Sequence, residues 1–145
     1  MIGLIITGHG NFATGLGSSL KLIAGEPANV KYVDFEESHS VAVLKENLNN
    51  ALDALKDCDG VLILSDLLGG SPFKTSVECK FERNDHQIEV VAGTNFPLLV
   101  TCATMSGMFG SAAELADAAI FEGKNGMLRF ELVMEEEEIP DEDGI

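Results

Sequence analysis

Four short apolar runs, spaced along the chain, constrain the fold more than any other feature of this sequence. They lie at residues 2–6, 30–35, 61–64 and 88–91. Each is close to a continuous apolar run rather than an alternation with polar residues, which is typical of strands buried on both faces of a parallel sheet. The sequence therefore predicts an α/β domain.

The segments between these runs carry helical signals. Apolar residues recur there at helical spacing, and Ser71-Pro72 is a strong start signal for the third helix. After the fourth strand, two helical pieces precede an apolar stretch, Met127 to Val133, which we expect to form a last strand. This order predicts an open, mostly parallel, doubly wound sheet with helices on both faces. Ligands bind such sheets at the carboxyl ends of the strands.

Negative charge is concentrated at the end of the chain. The net charge is −15, and residues 135–145 carry seven acids and no base. We expect 135–145 to be a solvated, disordered tail that follows one domain, 1–134. With only nine Lys and Arg residues, an acidic chain of this kind is a poor candidate for binding nucleic acid.

The cysteines and the N-terminus indicate a cytoplasmic protein. Cys58, Cys79 and Cys102 are widely spaced and form no CxxC pair, so we expect reduced thiols rather than disulfides or a zinc site. The N-terminus lacks the basic leader and small-residue cleavage site of a signal peptide. The uncharged stretch from Val90 to Ala113 contains Gly, Pro, Ser and Thr residues that break any membrane-spanning helix.

Two polar residues follow predicted strands in glycine-rich turns. His9 lies in Thr7-Gly8-His9-Gly10-Asn11, after the first strand, and Asp66 begins the turn after the third strand. First and third strands are commonly neighbours in doubly wound sheets, so His9 and Asp66 are expected to meet. His39 and His86 lie in polar segments, and we expect both to be surface residues.

A carboxylate beside an imidazole fixes the tautomer of the ring and leaves its other nitrogen nucleophilic. Phosphoryl transfer to that nitrogen needs hydrogen-bond donors for the phosphoryl oxygens. The starts of the first and third helices offer such donors. The candidate phosphate-binding residues are Gly10, Asn11, Gly70 and Ser71. This chemistry requires no metal and no cofactor.

Three segments of the chain resemble the enzyme IIA component of the mannose-type phosphoenolpyruvate:sugar phosphotransferase system (PTS). They are Thr7-Gly8-His9-Gly10, Asp66-Leu67-Leu68-Gly69-Gly70-Ser71-Pro72-Phe73, and Val91-Ala92-Gly93-Thr94-Asn95-Phe96-Pro97-Leu98-Leu99. The similarity extends over 1–134, and the Gly-Gly-Ser-Pro-Phe string with an upstream Asp is specific.

The resemblance implies a function, partners and an assembly. His9 is expected to take a phosphoryl group from the phosphocarrier protein HPr and give it to enzyme IIB, while Asp66 orients His9. Enzyme IIB then phosphorylates sugar that is imported through the membrane components IIC and IID. We expect a homodimer with residues 127–133 as an antiparallel edge strand that some family members exchange between subunits. The residues expected to shape the docking surface for HPr and IIB are Phe12, Leu67, Leu68 and Phe73.

Two alternatives stay open from the sequence. A related protein of the same fold donates phosphate to a dihydroxyacetone kinase, but it carries a Met-Gly-Ser type segment where this chain has Gly-Gly-Ser-Pro-Phe. A flavodoxin-like binding module without phosphotransfer is the other alternative. Such a module needs aromatic residues to stack a flavin, and the chain has one Tyr and no Trp.

Overall fold

The structure, a computed structural model, describes residues 1–132 as a sheet flanked by five helices. The elements in chain order are β1 (Ile2–His9), α1 (Phe12–Ala24), β2 (Val30–Phe35), α2 (Val41–Ala54), β3 (Gly60–Ser65), α3 (Ser71–Glu82), β4 (Ile88–Val91), α4 (Phe96–Met105) and α5 (Ala112–Asn125).

The four strands form one parallel sheet in the order β2-β1-β3-β4. The chain moves outward from β1 to β2 and then crosses back to β3 on the other side of β1. The connections therefore diverge between β1 and β3, and the crevice outside the carboxyl ends of these two strands is the expected place for a ligand. The predicted open parallel α/β sheet is confirmed.

Two apolar layers cover the sheet, one on each face. One cluster joins β1, β3 and β4 to α1, α4 and α5, and includes Leu20, Leu99 and Leu115. The other joins the opposite face to α2 and α3, and includes Leu44 and Cys79. Because both faces are covered, β1 and β3 are almost wholly buried, which explains their continuous apolar sequences.

The predicted last strand is wrong for the part of it that the structure describes. Residues 127–132 have no regular secondary structure and pair with no strand, and all four strands in the described range are parallel. Leu128, Phe130 and Leu132 are each at least 75% exposed. An edge strand needs a neighbouring backbone to pair with, and this segment has none among residues 1–132. Val133 and the predicted tail, 135–145, lie outside the described residues.

Candidate functional site

His9 and Asp66 meet at the carboxyl ends of β1 and β3. Thr7 of β1 pairs with Ser65 of β3, so His9, the last residue of β1, lies close to Asp66, which directly follows β3. The Asp66 Oδ2 atom lies 2.7 Å from the Nδ1 atom of His9 and accepts a hydrogen bond from the His9 backbone N–H at 2.8 Å. One carboxylate oxygen thus holds both the ring and the backbone of His9.

Hydrogen bonding keeps the Asp66 carboxylate charged. Partial burial raises the pKa of this carboxyl, but bonds from the His9 amide, the His9 ring and the Leu67 amide outweigh it, so the pKa lies below its ordinary value. The Asp66 side chain is 15% exposed, whereas that of His9 is 49% exposed. A charged Asp66 favours the tautomer with the proton on Nδ1, which leaves a lone pair on the accessible Nε2 atom.

The loop after β4 holds the Asp66 turn from the other side. The Gly93 N–H donates to the Asp66 carbonyl at 3.0 Å, and the Thr94 N–H donates to the Ser65 carbonyl at 3.1 Å. Gly93 has a φ of +77°, a left-handed conformation that glycine adopts without strain. Asn95 then caps α4 by accepting a bond from the Leu98 N–H. These contacts position the backbone from which the Asp66 side chain reaches His9.

The imidazole of His9 lies against Gly70, the N-cap of α3. A Cβ atom built on Gly70 would lie 2.7 Å from the Cε1 atom and 3.4 Å from the Nε2 atom of His9. The φ of Gly70 is −73°, an ordinary value, so backbone conformation does not demand glycine here. Glycine is needed because a side chain would occupy the space of the His9 ring.

The first turn of α3 keeps free donors beside this ring. Gly70 caps the helix without a side-chain bond, and no acidic residue occupies the first turn. The Gly70 amide is occupied, because it donates to the Leu67 carbonyl at 3.1 Å. The amides of Ser71 and Phe73 have no acceptor among residues 1–132, and Pro72 has no N–H. Such a helix start attracts an anion.

At the start of α1, a carboxylate already occupies one backbone amide. Asp34 of β2 accepts the Thr14 N–H at 3.0 Å and the Thr14 hydroxyl at 2.6 Å. The Gly10 amide donates to the Phe35 carbonyl at 2.7 Å and so already has an acceptor, and phosphate binding by Gly10 stays a prediction. Of the pair predicted here, only the Asn11 amide has no acceptor within the described part of the chain. The α1 start thus already binds one anionic side chain, whereas no carboxylate of residues 1–132 binds the amides of the α3 start.

Phe35 contributes to the site and was missed by the sequence reasoning. It pairs with His9 across β1 and β2, and its ring packs edge-on against the imidazole with the centroids 6.0 Å apart. Phe12 lies beneath the turn, because a Cβ atom on Gly8 would lie 2.5 Å from the Phe12 ring. No local sequence pattern identifies Phe35, since its contact with His9 depends on the register of two strands.

Apolar side chains rim the site. Leu67 and Leu68 directly follow Asp66 and are 61% and 72% exposed. Phe12 and Phe73 are half-buried. Large apolar side chains exposed beside a reactive group are typical of a surface that contacts another macromolecule.

The other histidines lie outside this site. His39 accepts a hydrogen bond at Nδ1 from the Glu36 N–H at 3.1 Å, and its side chain is 27% exposed. The side chain of His86 is only 2% exposed, so its expected surface position is wrong. It packs in a cleft at the amino end of β4 that is also lined by Lys80 and Ser111. A polar sequence context does not reveal such packing against a distant helix start.

Residues 1–132 contain no group of three or more His, Cys, Asp or Glu side chains placed to hold a metal ion. Within the same residues, no helix is long and apolar enough to cross a membrane. The site thus consists of an imidazole, held by a carboxylate, that lies against a helix start without a side-chain cap.

Comparison with known proteins places this arrangement in a family. The family model described as PTS system fructose IIA component matches residues 3–120, which include His9, Asp66 and all of α3. This chain belongs to the mannose-type enzyme IIA family. Members of the enzyme IIA family are phosphoryl-transfer components of the sugar PTS, and this defines the general role of the chain.

Relatives of known sequence agree with this assignment. The fructose-specific EIIA component of Bacillus subtilis (strain 168) is 34% identical over 100 residues, which are 69% of this chain and 67% of that protein. The mannose-specific EIIAB component of Escherichia coli (strain K12) is 32% identical over 126 residues. Those residues are 87% of this enzyme IIA chain but 38% of the E. coli protein.

Solved structures share the fold. The phosphotransferase system component EIIA from Streptococcus agalactiae has a TM-score of 0.81 and 34% identity, covering 89% of this chain and 97% of that chain. The mannose/sorbose specific IIA subunit from Enterococcus faecalis has a TM-score of 0.80 and covers 90% and 96% of the two chains. Because the E. faecalis subunit is 24% identical to this chain, its similarity supports the enzyme IIA fold alone.

Proposed function

We propose that this enzyme IIA is a phosphohistidine carrier that accepts a phosphoryl group from HPr on the Nε2 atom of His9 and passes it to enzyme IIB. The observation that carries the proposal is the 2.7 Å contact between His9 Nδ1 and Asp66 Oδ2, which leaves Nε2 free above the start of α3. Enzyme IIB then passes the phosphoryl group to sugar that is taken up through the membrane components IIC and IID.

The transfer is a single displacement at phosphorus. The Nε2 lone pair of His9 forms the new N–P bond, while the bond to the donor atom breaks and its electron pair returns to the donor. The proton stays on Nδ1, and the positive charge that develops on the ring is balanced by Asp66. The reverse displacement, with a nucleophile of IIB, releases the group from His9.

The start of α3 supplies the phosphoryl oxygens with partners. The free amides of Ser71 and Phe73, and the Ser71 hydroxyl, are donors that need no rearrangement when the group arrives. Pre-positioned donors stabilise the charge on the equatorial oxygens in the transition state as well as in the phosphorylated protein. Gly70 serves this arrangement by letting the ring approach the helix.

The partners are proposed from the family and from the surface. The rim of Leu67, Leu68, Phe12 and Phe73 surrounds the nucleophile, so a donor or acceptor protein must contact it to reach Nε2. A homodimer is supported by residues 127–132, whose apolar side chains are exposed in the single chain and would be covered by a second copy. Reduced cysteines are consistent with action in the cytoplasm.

The direct test is phosphorylation of the intact protein. Wild type, His9→Ala and the control His39→Ala are incubated with phosphoenolpyruvate, enzyme I and HPr, and their intact masses are measured at alkaline pH. We expect one acid-labile phosphoryl adduct on wild type and on His39→Ala, and none on His9→Ala. A phosphorylated His9→Ala protein, or a folded wild type without adduct in the presence of active HPr, contradicts the proposal.

A further inference from the structure

Lys74 occupies an electrostatically unfavourable place on α3. The helix begins at Ser71, so Lys74 lies in its first turn, near the positive end of the helix dipole. A cation there destabilises a helix, and the first turn of α3 contains no acidic residue that would offset it. The stability of the helix therefore does not explain the lysine.

Ion pairing does not explain it either. Lys74 is exposed and forms no ion pair with any carboxylate of residues 1–132. Glu78, one turn further along α3, lies 3.5 Å from Lys45 of α2 instead. Lys80, also on α3, pairs with Glu89 at 2.9 Å.

Helix geometry directs Lys74 toward the site. Gly70 and Lys74 are four residues apart and thus lie on one face of the helix. A helical side chain extends over the turn that precedes its own Cα atom, so Lys74 covers the turn that begins at Gly70. That turn is where His9 lies, with its Nε2 atom 3.4 Å from the position of a Cβ atom on Gly70. A lysine side chain spans about one helical turn, roughly 5–6 Å.

We propose that Lys74 is a phosphoryl-binding residue, whose ammonium contacts the phosphoryl oxygens on His9 and stabilises the phosphorylated state. This inference rests on the proposed function. The phosphoryl group brings about two negative charges. The group binds beside the Asp66 carboxylate, in a chain of net charge −15. The Lys74 ammonium therefore offsets the repulsion between the phosphoryl group and this negative charge.

The test measures the transfer equilibrium rather than the rate, because docking of HPr affects the rate. Phosphorylated HPr is mixed with wild type, Lys74→Gln, Lys74→Arg or the control Lys56→Gln, and the phosphorylated fractions of both proteins are read from intact masses. Lys56 is exposed and lies before β3, at the opposite end of the sheet from His9. The ³¹P resonance of each phosphorylated protein is recorded as well.

We expect Lys74→Gln to lower the equilibrium constant about 1.5- to fivefold, the range for a charged contact near the surface. Lys74→Arg should retain the wild-type value, Lys56→Gln should not change it, and only Lys74→Gln should shift the ³¹P resonance. Lys74→Gln removes the unfavourable interaction between the lysine charge and the helix dipole, so the Tm of the unphosphorylated variant should rise by about 1–4 °C. Stability and phosphoryl binding should thus change in opposite directions.

Three results would overturn the inference and are distinguishable. If wild type is phosphorylated but Lys74→Gln matches it in equilibrium and ³¹P resonance, Lys74 does not contact the group, and the carrier function stands. An equal loss in Lys56→Gln leads to the same conclusion, because net charge alone then explains it. If wild type accepts no phosphoryl group at all, the carrier function and the role of Lys74 both fall.

Discussion

Replacing Gly70 with alanine tests the packing on which the site depends. The new Cβ atom would lie 2.7 Å from the Cε1 atom of His9, whereas ordinary van der Waals contact begins at 3.4 Å. The ring or the helix start must therefore move by about 0.7 Å, the difference between these distances. The His9 ring is anchored at Nδ1 by Asp66 at 2.7 Å, so a shift of this size strains that hydrogen bond.

The expected effects follow from these distances. Alanine is a poorer N-cap than glycine, and a weakened charged hydrogen bond adds to the loss, so we expect the free energy of unfolding to fall by about 1–2 kcal/mol. The effect on the rate of phosphoryl transfer should be larger than this loss of stability suggests. Misplacing a reacting group by about 1 Å costs on the order of 100-fold in rate, so we expect a decrease of about 10- to 100-fold.

Single-turnover phosphorylation by HPr, followed by intact mass, and denaturant unfolding measure the two effects. Gly15→Ala is the matched control, because Gly15 is exposed on α1 and a Cβ atom there meets nothing within 4 Å. It should stabilise the protein by up to about 1 kcal/mol and leave transfer unchanged. A Gly70→Ala protein with wild-type stability and transfer rate would refute the reasoning, since the imidazole would then not depend on its contact with Gly70.

Two further predictions concern Asp66 and the thiols. Asp66→Asn should slow transfer strongly but leave some phosphorylation in the same assay, because the nucleophile remains. The pKa of Asp66 is lowered from 3.8 in the folded protein, so its stabilising contribution is present above about pH 4 and is lost as the pH falls through the folded pKa. The stability difference between wild type and Asp66→Asn, measured by urea unfolding, should therefore shrink below pH 4; a constant difference would contradict this. Burial raises the pKa of all three thiols, that of Cys102 to about 12. Cys79 and Cys102 are buried whereas Cys58 is half-buried, so a thiol reagent at pH 8 should modify only Cys58 until the protein is unfolded. A second reactive thiol in the native state would count against this burial.

The strands of this enzyme IIA could be predicted because of how parallel sheets are buried. Both faces of β1 and β3 are covered by helices, so their sequences are continuous apolar runs, and the predicted runs at 2–6 and 61–64 lie within the observed strands. The meeting of His9 and Asp66 could be anticipated for a related reason. Adjacent parallel strands present their carboxyl ends at one edge, so His9 at the end of β1 and Asp66 directly after β3 converge there.

Contacts that depend on register or on the packing of one element against another could not be predicted. Phe35 contacts His9 because β2 pairs with β1 in one particular register. The predicted strand from 127 failed because strand formation depends on an available partner edge, which the apolar pattern does not specify. The side chain of His86 is buried although its neighbours in sequence are polar.

By itself, the sequence determined the order of the elements, the apolar faces and the two polar residues at neighbouring strand ends, because these follow from local pattern and from the periodicity of helices and strands. Only the tertiary structure decided which helix start lies against the imidazole of His9. Asp34, a residue 20 positions beyond Thr14, binds the Thr14 amide at the α1 start, whereas the α3 start has no side-chain cap and touches the imidazole through Gly70. Both turns are rich in glycine. They differ in their contacts with distant segments of the chain, and these contacts form only once the sheet has assembled.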